Sequence, residues 1–236
     1  MSFELANLQR AQYIAKTAMD EIYSFIHVGV SAQKIRGVAE NAMIKLGSEG
    51  WWMRGDPALV LIGDDTANSG SFDAKAQRAR CTVAENDIIS VDVAPSYRGM
   101  WGDFARTFFV EDAKVTMHPQ KPKSLHFSRM LELELRLHEG MMKAVCEDTT
   151  FEELYEWTSR RLKEEGFENC DYHDNFGHTI ENSLEERVTI AAHSTKSICA
   201  QGRPFTYEPH IRKIGEKIAI KHEDMYYFDG GKPVRV

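Results

Sequence analysis

The stretch Ile88–Val110, with the sequence IISVDVAPSYRGMWGDFARTFFV, decides the fold. Both of its ends are apolar runs rich in β-favouring residues, and the turn-like PSYRG separates them. The stretch therefore predicts a β-hairpin with an acidic residue in each strand. If the turn is centred between Tyr97 and Arg98, Asp92 and Asp103 lie directly opposite each other. Like charges in that position are destabilising, so a compensating cation is expected.

Helical and strand patterns alternate on both sides of this hairpin. The predicted elements, in chain order, are helices at Leu5–His27 and from the N-cap Ser31 to about Leu46, strands at Ala58–Ile62, Asp87–Val93 and Met100–Val110, helices at Leu125–Val145 and Phe151–Gly166, and strand and loop beyond Cys170. The order indicates two similar α+β halves. The linker-like segment Lys114–Lys123 joins them within one domain, residues 1–236.

Composition excludes several classes of function. The formal net charge of −7 argues against a nucleic-acid-binding protein, because such proteins carry a basic face. No apolar stretch approaches the length of about 20 residues that spans a bilayer, and the N-terminus has no signal-peptide core. The four cysteines show no CxxC pair or zinc-ribbon spacing. We therefore expect a soluble protein of a reducing cytoplasm.

A second pair of acids occurs near the C-terminus. Glu208 in FTYEP and Glu223 in IKHEDMYYF are equidistant from a turn centred on Gly215 and Glu216. One such pair is commonly a solvated feature of a hairpin, but two pairs in apolar strands, together with the Gly-His of NFGHTI, favour a metal site. Four carboxylates and one imidazole suit two divalent ions, Mn, Co, Fe or Zn, that share bridging ligands.

These motifs resemble those of the pita-bread metallopeptidases, the superfamily of methionine aminopeptidase, aminopeptidase P, prolidase and creatinase. The resemblance covers almost the whole chain: SVDVAPSYRGMWGDFART is similar to the two-Asp hairpin, NFGHTI to the Gly-His motif, and FTYEPHI and KHEDMYYF to the two Glu strands. It implies an α+β pita-bread (creatinase/aminopeptidase) fold, in which two pseudo-symmetric halves surround a curved antiparallel sheet. The length of the chain resembles that of the catalytic domain alone.

The resemblance also implies a role for each of the five ligands. Asp92 would chelate one ion, Asp103 and Glu223 would bridge both, and His178 with Glu208 would complete the second ion's coordination. Glu208 would also be the general base, accepting a proton from an activated water and returning it to the leaving amine.

The sequence departs from the family pattern at two positions. The peptidases use two histidines outside the metal ligands to bind the scissile amide and stabilise the tetrahedral intermediate. The segment 63–80 contains no histidine, and Glu185 stands seven residues after His178. A carboxylate would repel an oxyanion, and losing one stabilising donor costs about 10² to 10³ in rate. The reaction is therefore expected to differ from ordinary aminopeptidase chemistry unless Glu185 is a surface acid displaced in the alignment.

Several further residues are candidates for the site. Glu185 and His193 are candidate catalytic groups, and His173, Arg106 and Trp101 are candidate substrate-binding groups. Each also has a structural interpretation: the histidines as exposed loop residues, and Arg106 as the partner of a nearby acid. The other clustered apolar residues, Trp51, Trp52 and Met53, are more typical of a core.

Three functions follow from these residues. The first is an aminopeptidase-like hydrolase acting on a peptide N-terminus or a small-molecule amide. The second is a metalloenzyme on the same scaffold with another chemistry, either hydrolysis of a different C–N bond or an iron-dependent redox reaction. The third is a non-catalytic binding module, which would have no reason to keep five convergent ligands. A homodimer is compatible with all three.

Overall fold

The computed structural model describes residues 4–52, 56–68 and 81–236. The helices are α1 (Leu5–Phe25), α2 (Ala32–Lys45), α3 (Leu125–Ala144) and α4 (Phe151–Glu165). The strands are β1 (Ala58–Ile62), β2 (Asp87–Val93), β3 (Ser96–Tyr97), β4 (Met100–Trp101), β5 (Phe104–Glu111), β6 (Lys114–Met117), β7 (Phe167–Asn169), β8 (Phe205–Tyr207), β9 (His210–Lys213), β10 (Ile220–Lys221), β11 (Asp224–Asp229) and β12 (Lys232–Arg235). None of the helices within these ranges is long and apolar enough to cross a bilayer. Met53 and most of the histidine-free segment lie outside the described residues.

The N-terminal half places two helices against a four-stranded antiparallel sheet of order β1-β2-β5-β6. As predicted, Ser31 caps α2, and its side-chain oxygen accepts a hydrogen bond from the Lys34 amide. The apolar sides of both helices bury residues such as Ile22 and Ile35 against the sheet. This packing leaves the other face of β2 and β5 to the second half of the chain.

The C-terminal half begins with α3 and α4 and ends in two three-stranded antiparallel sheets, β7-β9-β10 and β8-β11-β12. Thr150 starts α4 through a capping box with Glu153, and Gly166 in a left-handed conformation ends it. The two helices and the C-terminal strands share a second apolar core with β5, to which Phe109 contributes. The predicted α+β class and the two-half organisation are confirmed.

The register of the first hairpin differs from the prediction. Asp92 pairs with Ala105, so Asp103 lies two residues before the partner of Asp92. The turn residues are Arg98 and Gly99, and both have positive φ angles, 48° and 75°, as a two-residue type I′ turn requires. A shift of two residues keeps side chains on the same face of a strand pair, so the two acids remain neighbours on a diagonal.

The register of the second hairpin agrees with the prediction. Lys221 pairs with His210 in β9 and β10, and Asp224 pairs with Tyr207 in β8 and β11. Both ladders have the predicted centre, and their shared register sets Glu208 opposite Glu223.

The linker-like interpretation of Lys114–Lys123 is wrong for its first four residues, which form β6 and pair with β5. Asp112 and Ala113, with φ angles of 53° and 62°, make a tight turn between these strands.

Candidate metal centre

Four segments of the chain bring the five predicted ligands together. Asp92, Asp103, His178, Glu208 and Glu223 are all buried, and none has more than 9% of its surface exposed. Carboxylate oxygens of Asp92, Asp103 and Glu223 lie within 4.8 Å of one another. The Nε2 atom of His178 lies 3.3 Å from Oε1 of Glu208 and 3.7 Å from Oδ2 of Asp103. These distances define two overlapping groups of donors that share Asp103.

Helix α1 holds Asp103 through its backbone. The buried side chain of Gln12 donates to the Asp103 carbonyl oxygen at 2.8 Å and accepts from the Asp103 amide at 2.9 Å. Gly102 makes this approach feasible, because a Cβ atom there would lie 2.6 Å from the carbonyl oxygen of Ala11. The predicted continuous strand Met100–Val110 is consequently interrupted at Gly102 and Asp103.

The His178 imidazole is oriented for coordination through Nε2. Its Nδ1 atom lies 3.1 Å from the Thr179 carbonyl oxygen, which selects the tautomer with the proton on Nδ1. The His178 amide donates to the Thr206 hydroxyl, which in turn donates to Oε1 of Glu208 at 2.9 Å. Gly177 has a φ angle of 139°, and a Cβ atom there would lie 2.2 Å from the Thr206 carbonyl oxygen.

Lys221 is the only cation in direct ion-pair contact with these carboxylates among the described residues. Its ammonium lies 2.7 Å from Oδ2 of Asp92, 2.6 Å from Oε2 of Glu208 and 3.5 Å from Oε2 of Glu223. Sequence reasoning missed this residue, although an alternating strand pattern puts Lys221 on the same face as Glu223. Lys221 contacts Oδ2 of Asp92 and Oε2 of Glu208; Oε1 of Glu208 accepts from Thr206, whereas Oδ1 of Asp92 has no hydrogen-bond partner among the described residues.

The charges of the cluster act strongly on one another. Burial raises the pKa of Asp103 well above its usual range, and the neighbouring Asp92 and Glu208 carboxylates raise it further. Burial likewise raises the pKa of Glu223 well above its usual range, with Asp103 adding to the effect. Burial also raises the pKa of Glu208, but Lys221 and His178 outweigh it and hold that pKa at about 2. Burial lowers the pKa of His178 to about 4, so the ring is neutral at pH 7.

This arrangement fits divalent cations. Within the described residues, Oδ1 of Asp92 and both carboxylate oxygens of Glu223 are buried without a hydrogen bond. One ammonium supplies too little positive charge for four buried carboxylates to be ionised together, and the raised pKa values of Asp103 and Glu223 reflect that cost. Neutral imidazole and carboxylate oxygens are ligands that Mn, Co, Fe and Zn accept. The donor set therefore fits divalent metal ions.

Aromatic residues border the centre on one side. The Trp52 ring lies against the His178 imidazole, with their centroids 4.7 Å apart, and Trp101 lies 6.4 Å from Trp52. Trp52, which we expected to be ordinary core, therefore touches a predicted ligand. Trp101 remains a candidate pocket residue, because it is partly exposed and reaches the centre through Trp52.

Arg106 does not contact the carboxylate cluster, so its expected role in binding a substrate there is corrected. Asp92 pairs with Ala105, and the next residue in the strand points to the opposite face. On that face the Arg106 guanidinium bonds to Asp224 at 2.8 Å and to the Glu223 carbonyl oxygen at 2.7 Å. Arg106 therefore supports the backbone of a ligand strand from behind.

Two predicted histidines lie at the surface. The His193 side chain is 94% exposed, and its nearest acidic partner is Glu152 at the start of α4. The turn after Ala191 directs His193 towards that helix and not towards the metal centre, so its proposed catalytic role is corrected. His173 is exposed and stacks edge-on with Tyr172, and the described contacts do not include a metal ligand.

Glu185 lies in a short 3₁₀ helix, Leu184–Glu186, and is exposed. Two residues further on, Arg187 exerts a Coulombic effect on both Asp103 and His178. Burial raises the pKa of Asp171, and the neighbouring Glu208 carboxylate raises it further. Neither Arg187 nor Asp171 carries a spacing signal that would have indicated its place near the centre.

Several solved structures have a similar fold. X-Pro aminopeptidase from Thermotoga maritima MSB8 superposes with a TM-score of 0.80 at 20% sequence identity, and the superposition covers 98% of this chain and 60% of the aminopeptidase chain. Prolidase from Pyrococcus furiosus superposes with a TM-score of 0.78 at 19% sequence identity, over 98% of this chain and 63% of the prolidase chain. The chain thus spans about three fifths of the length of these two proteins. Methionine aminopeptidase from Thermotoga maritima gives 0.75 at 15% identity and is covered over 98% of its length.

At these identities the likeness establishes the fold, and the chain has the pita-bread fold that its sequence predicted. A sequence search against curated proteins gives no match. The family model of metallopeptidase family M24 matches residues 6–229, nearly the whole chain. The chain therefore belongs to metallopeptidase family M24.

Proposed function

We propose that this protein is a hydrolase that uses two divalent metal ions to cleave an amide bond, at a peptide N-terminus or in a small molecule. The observation that carries the proposal is the pair of overlapping donor groups. Asp92, Asp103 and Glu223 form one group, and Asp103, His178 and Glu208 form the other. Asp103 is common to both, as expected of a ligand that bridges two ions.

The residues would act in distinct ways. Bound divalent ions would supply a water with a lowered pKa and would polarise the scissile carbonyl. Glu208 carries no proton at neutral pH, so its carboxylate can accept one and return it to the leaving amine. Lys221 and Thr206 hold the two oxygens of Glu208 in place for that transfer.

A second candidate is hydrolysis of another C–N bond on the same metal centre. Glu185 supports it, because this exposed carboxylate follows His178 at the seven-residue spacing at which the peptidases are expected to have a histidine. The binding-module alternative lacks support, because four buried carboxylates without ions would destabilise the fold for no gain.

Metal content and turnover of a panel of dipeptides and N-terminal amides test the proposal. We expect about two ions per chain after reconstitution with Mn²⁺ or Co²⁺, and turnover that chelation removes. Asp103→Asn should lose the ions, whereas the control Asp112→Asn, which changes an exposed acid paired with Lys123, should keep them. Retention of two ions by Asp103→Asn would show that the ligand assignment is wrong. Metal without turnover of any amide would reject the peptidase chemistry.

A further inference from the structure

Arg187 lies beside the metal centre because its segment pairs with the segment of His178. Thr189 forms an antiparallel bridge with His178, and the Thr179 amide donates to the Val188 carbonyl oxygen at 2.9 Å. Continuing this register by one step sets Arg187 opposite Ile180. Residues opposite each other in an antiparallel pair share a face, and so do residues two apart. Arg187 therefore lies on the same face as the His178 imidazole.

The charge of Arg187 acts on two predicted metal ligands, Asp103 and His178. Burial is the main cause of the raised pKa of Asp103, and Arg187 is one of the cations that oppose this rise. Burial is also the main cause of the lowered pKa of His178, and Arg187 lowers that pKa further. Arg187 itself is partly exposed. Over the described ranges, its guanidinium makes neither an ion pair nor a hydrogen bond. It is thus a cation near the centre with donors available to a ligand.

An anionic substrate group would meet strong repulsion from the carboxylates of this centre. We propose that Arg187 binds a negatively charged oxygen of the substrate at the metal centre, an inference that rests on the proposed function. The guanidinium is a planar fork whose paired N–H groups match oxyanions. The oxygen has two sources: a carboxylate already present on the substrate, or the carbonyl oxygen that gains the π electron pair when the amide carbon is attacked. The second source would supply the stabilisation that Glu185 cannot provide.

Binding to the Mn²⁺-loaded protein tests this role without turnover. The probe is 1-amino-3-methylbutylphosphonate, a tetrahedral anion with a free amine, measured by titration calorimetry. Arg187→Gln should bind it about tenfold or more weakly, the effect of losing one charge-assisted hydrogen bond, with unchanged metal content. Arg187→Lys, which keeps the charge, should recover part of the loss. The control Arg212→Gln, which removes a surface ion pair with Glu168, should bind as the wild type does. Affinity of Arg187→Gln within twofold of wild type would overturn the proposal.

Turnover of leucylglycine and leucylglycinamide then separates the two sources. A fall in kcat for both substrates assigns Arg187 to the developing oxyanion, whereas a rise in KM confined to leucylglycine assigns it to a substrate carboxylate. If the metal-loaded wild type cleaves neither substrate, the proposed peptidase activity is rejected. The phosphonate comparison still decides the role of Arg187 in that case.

Discussion

Replacing Lys221 by methionine tests whether the carboxylate cluster is as repulsive as its geometry implies. The change keeps most of the side-chain volume and removes the ammonium that contacts Asp92 and Glu208 at 2.7 and 2.6 Å. Its partners are buried, so solvent cannot take over its role. In the metal-free protein, four carboxylates would then face one another without a cation.

The size of the effect follows from burial. Removing one partner of a buried ion pair costs about 3 to 5 kcal/mol, because the other charge is left uncompensated. The Asp92 and Glu208 contacts are both of this kind, and the 3.5 Å distance to Glu223 adds a weaker attraction. Part of the cost is offset, because the variant no longer desolvates an ammonium. We therefore expect a loss of about 3 to 5 kcal/mol in the free energy of unfolding.

Urea unfolding of the metal-free variant at pH 7 measures this loss. Lys217→Met is the matched control, because its ammonium is exposed and 3.9 Å from the exposed Asp64, and its effect should stay within about 0.5 kcal/mol. Adding Mn²⁺ should stabilise Lys221→Met more than wild type, since the ions then supply the missing positive charge. A metal-free Lys221→Met as stable as the control would refute the reasoning.

Three further variants probe other parts of the structure. Gln12→Ala should weaken Mn²⁺ binding and cost about 1 to 3 kcal/mol in unfolding free energy, because the buried backbone groups of Asp103 lose their partners; titration calorimetry and urea unfolding measure the two effects. Gly177→Ala should lower the free energy of unfolding by about 3 kcal/mol or more, because the new Cβ atom would clash and the φ angle is positive. The control Gly202→Ala, where φ is also positive but the space is open, should lower it by only about 1 to 2 kcal/mol. Thermal unfolding measures both losses. Burial lowers the pKa of His138 from 6.5 to about 4. As the pH falls from 6.5 towards 4, the imidazole is therefore protonated in the unfolded chain but not in the folded one, and the free energy of unfolding decreases. His138→Gln should flatten that dependence by about 2 to 3 kcal/mol between pH 7 and 4, and an equally steep profile would contradict the assignment.

The sequence predicts local pairing better than it predicts turn geometry. Glu208 and Glu223 could be matched across their hairpin because the centre near Gly215 has one obvious turn residue. The first hairpin was misplaced by two residues, because Arg98 is a poor turn signal. Its positive φ is recognisable only from the following Gly99. Asp92 and Asp103 remain neighbours in spite of this error, because a two-residue shift preserves the face of the strand.

Contacts between distant segments were beyond sequence reasoning. Lys221 could have been found, since it lies two residues before Glu223 in the strand that the sequence predicts. Gln12 could not, because nothing in the pattern of an amphipathic helix distinguishes a buried glutamine that binds the backbone of a residue 91 positions later. Arg187 depends on a single bridge between two irregular segments. Arg106 was placed in the wrong pocket because spacing alone did not show that its partner would be Asp224.

The fold holds its ligands largely through backbone groups, which explains how mutually repelling acids can stay close together. The Asp103 backbone is bound by Gln12, the Glu223 amide donates to the Ala105 carbonyl oxygen at 3.0 Å, and the Glu208 amide donates to Phe176 at 2.9 Å. None of these bonds uses a ligating oxygen. The carboxylates are therefore positioned without a bound metal ion, and we expect metal binding to relieve repulsion instead of ordering the chain. For the same reason, the variants that remove metal ligands should leave the backbone of the site in place.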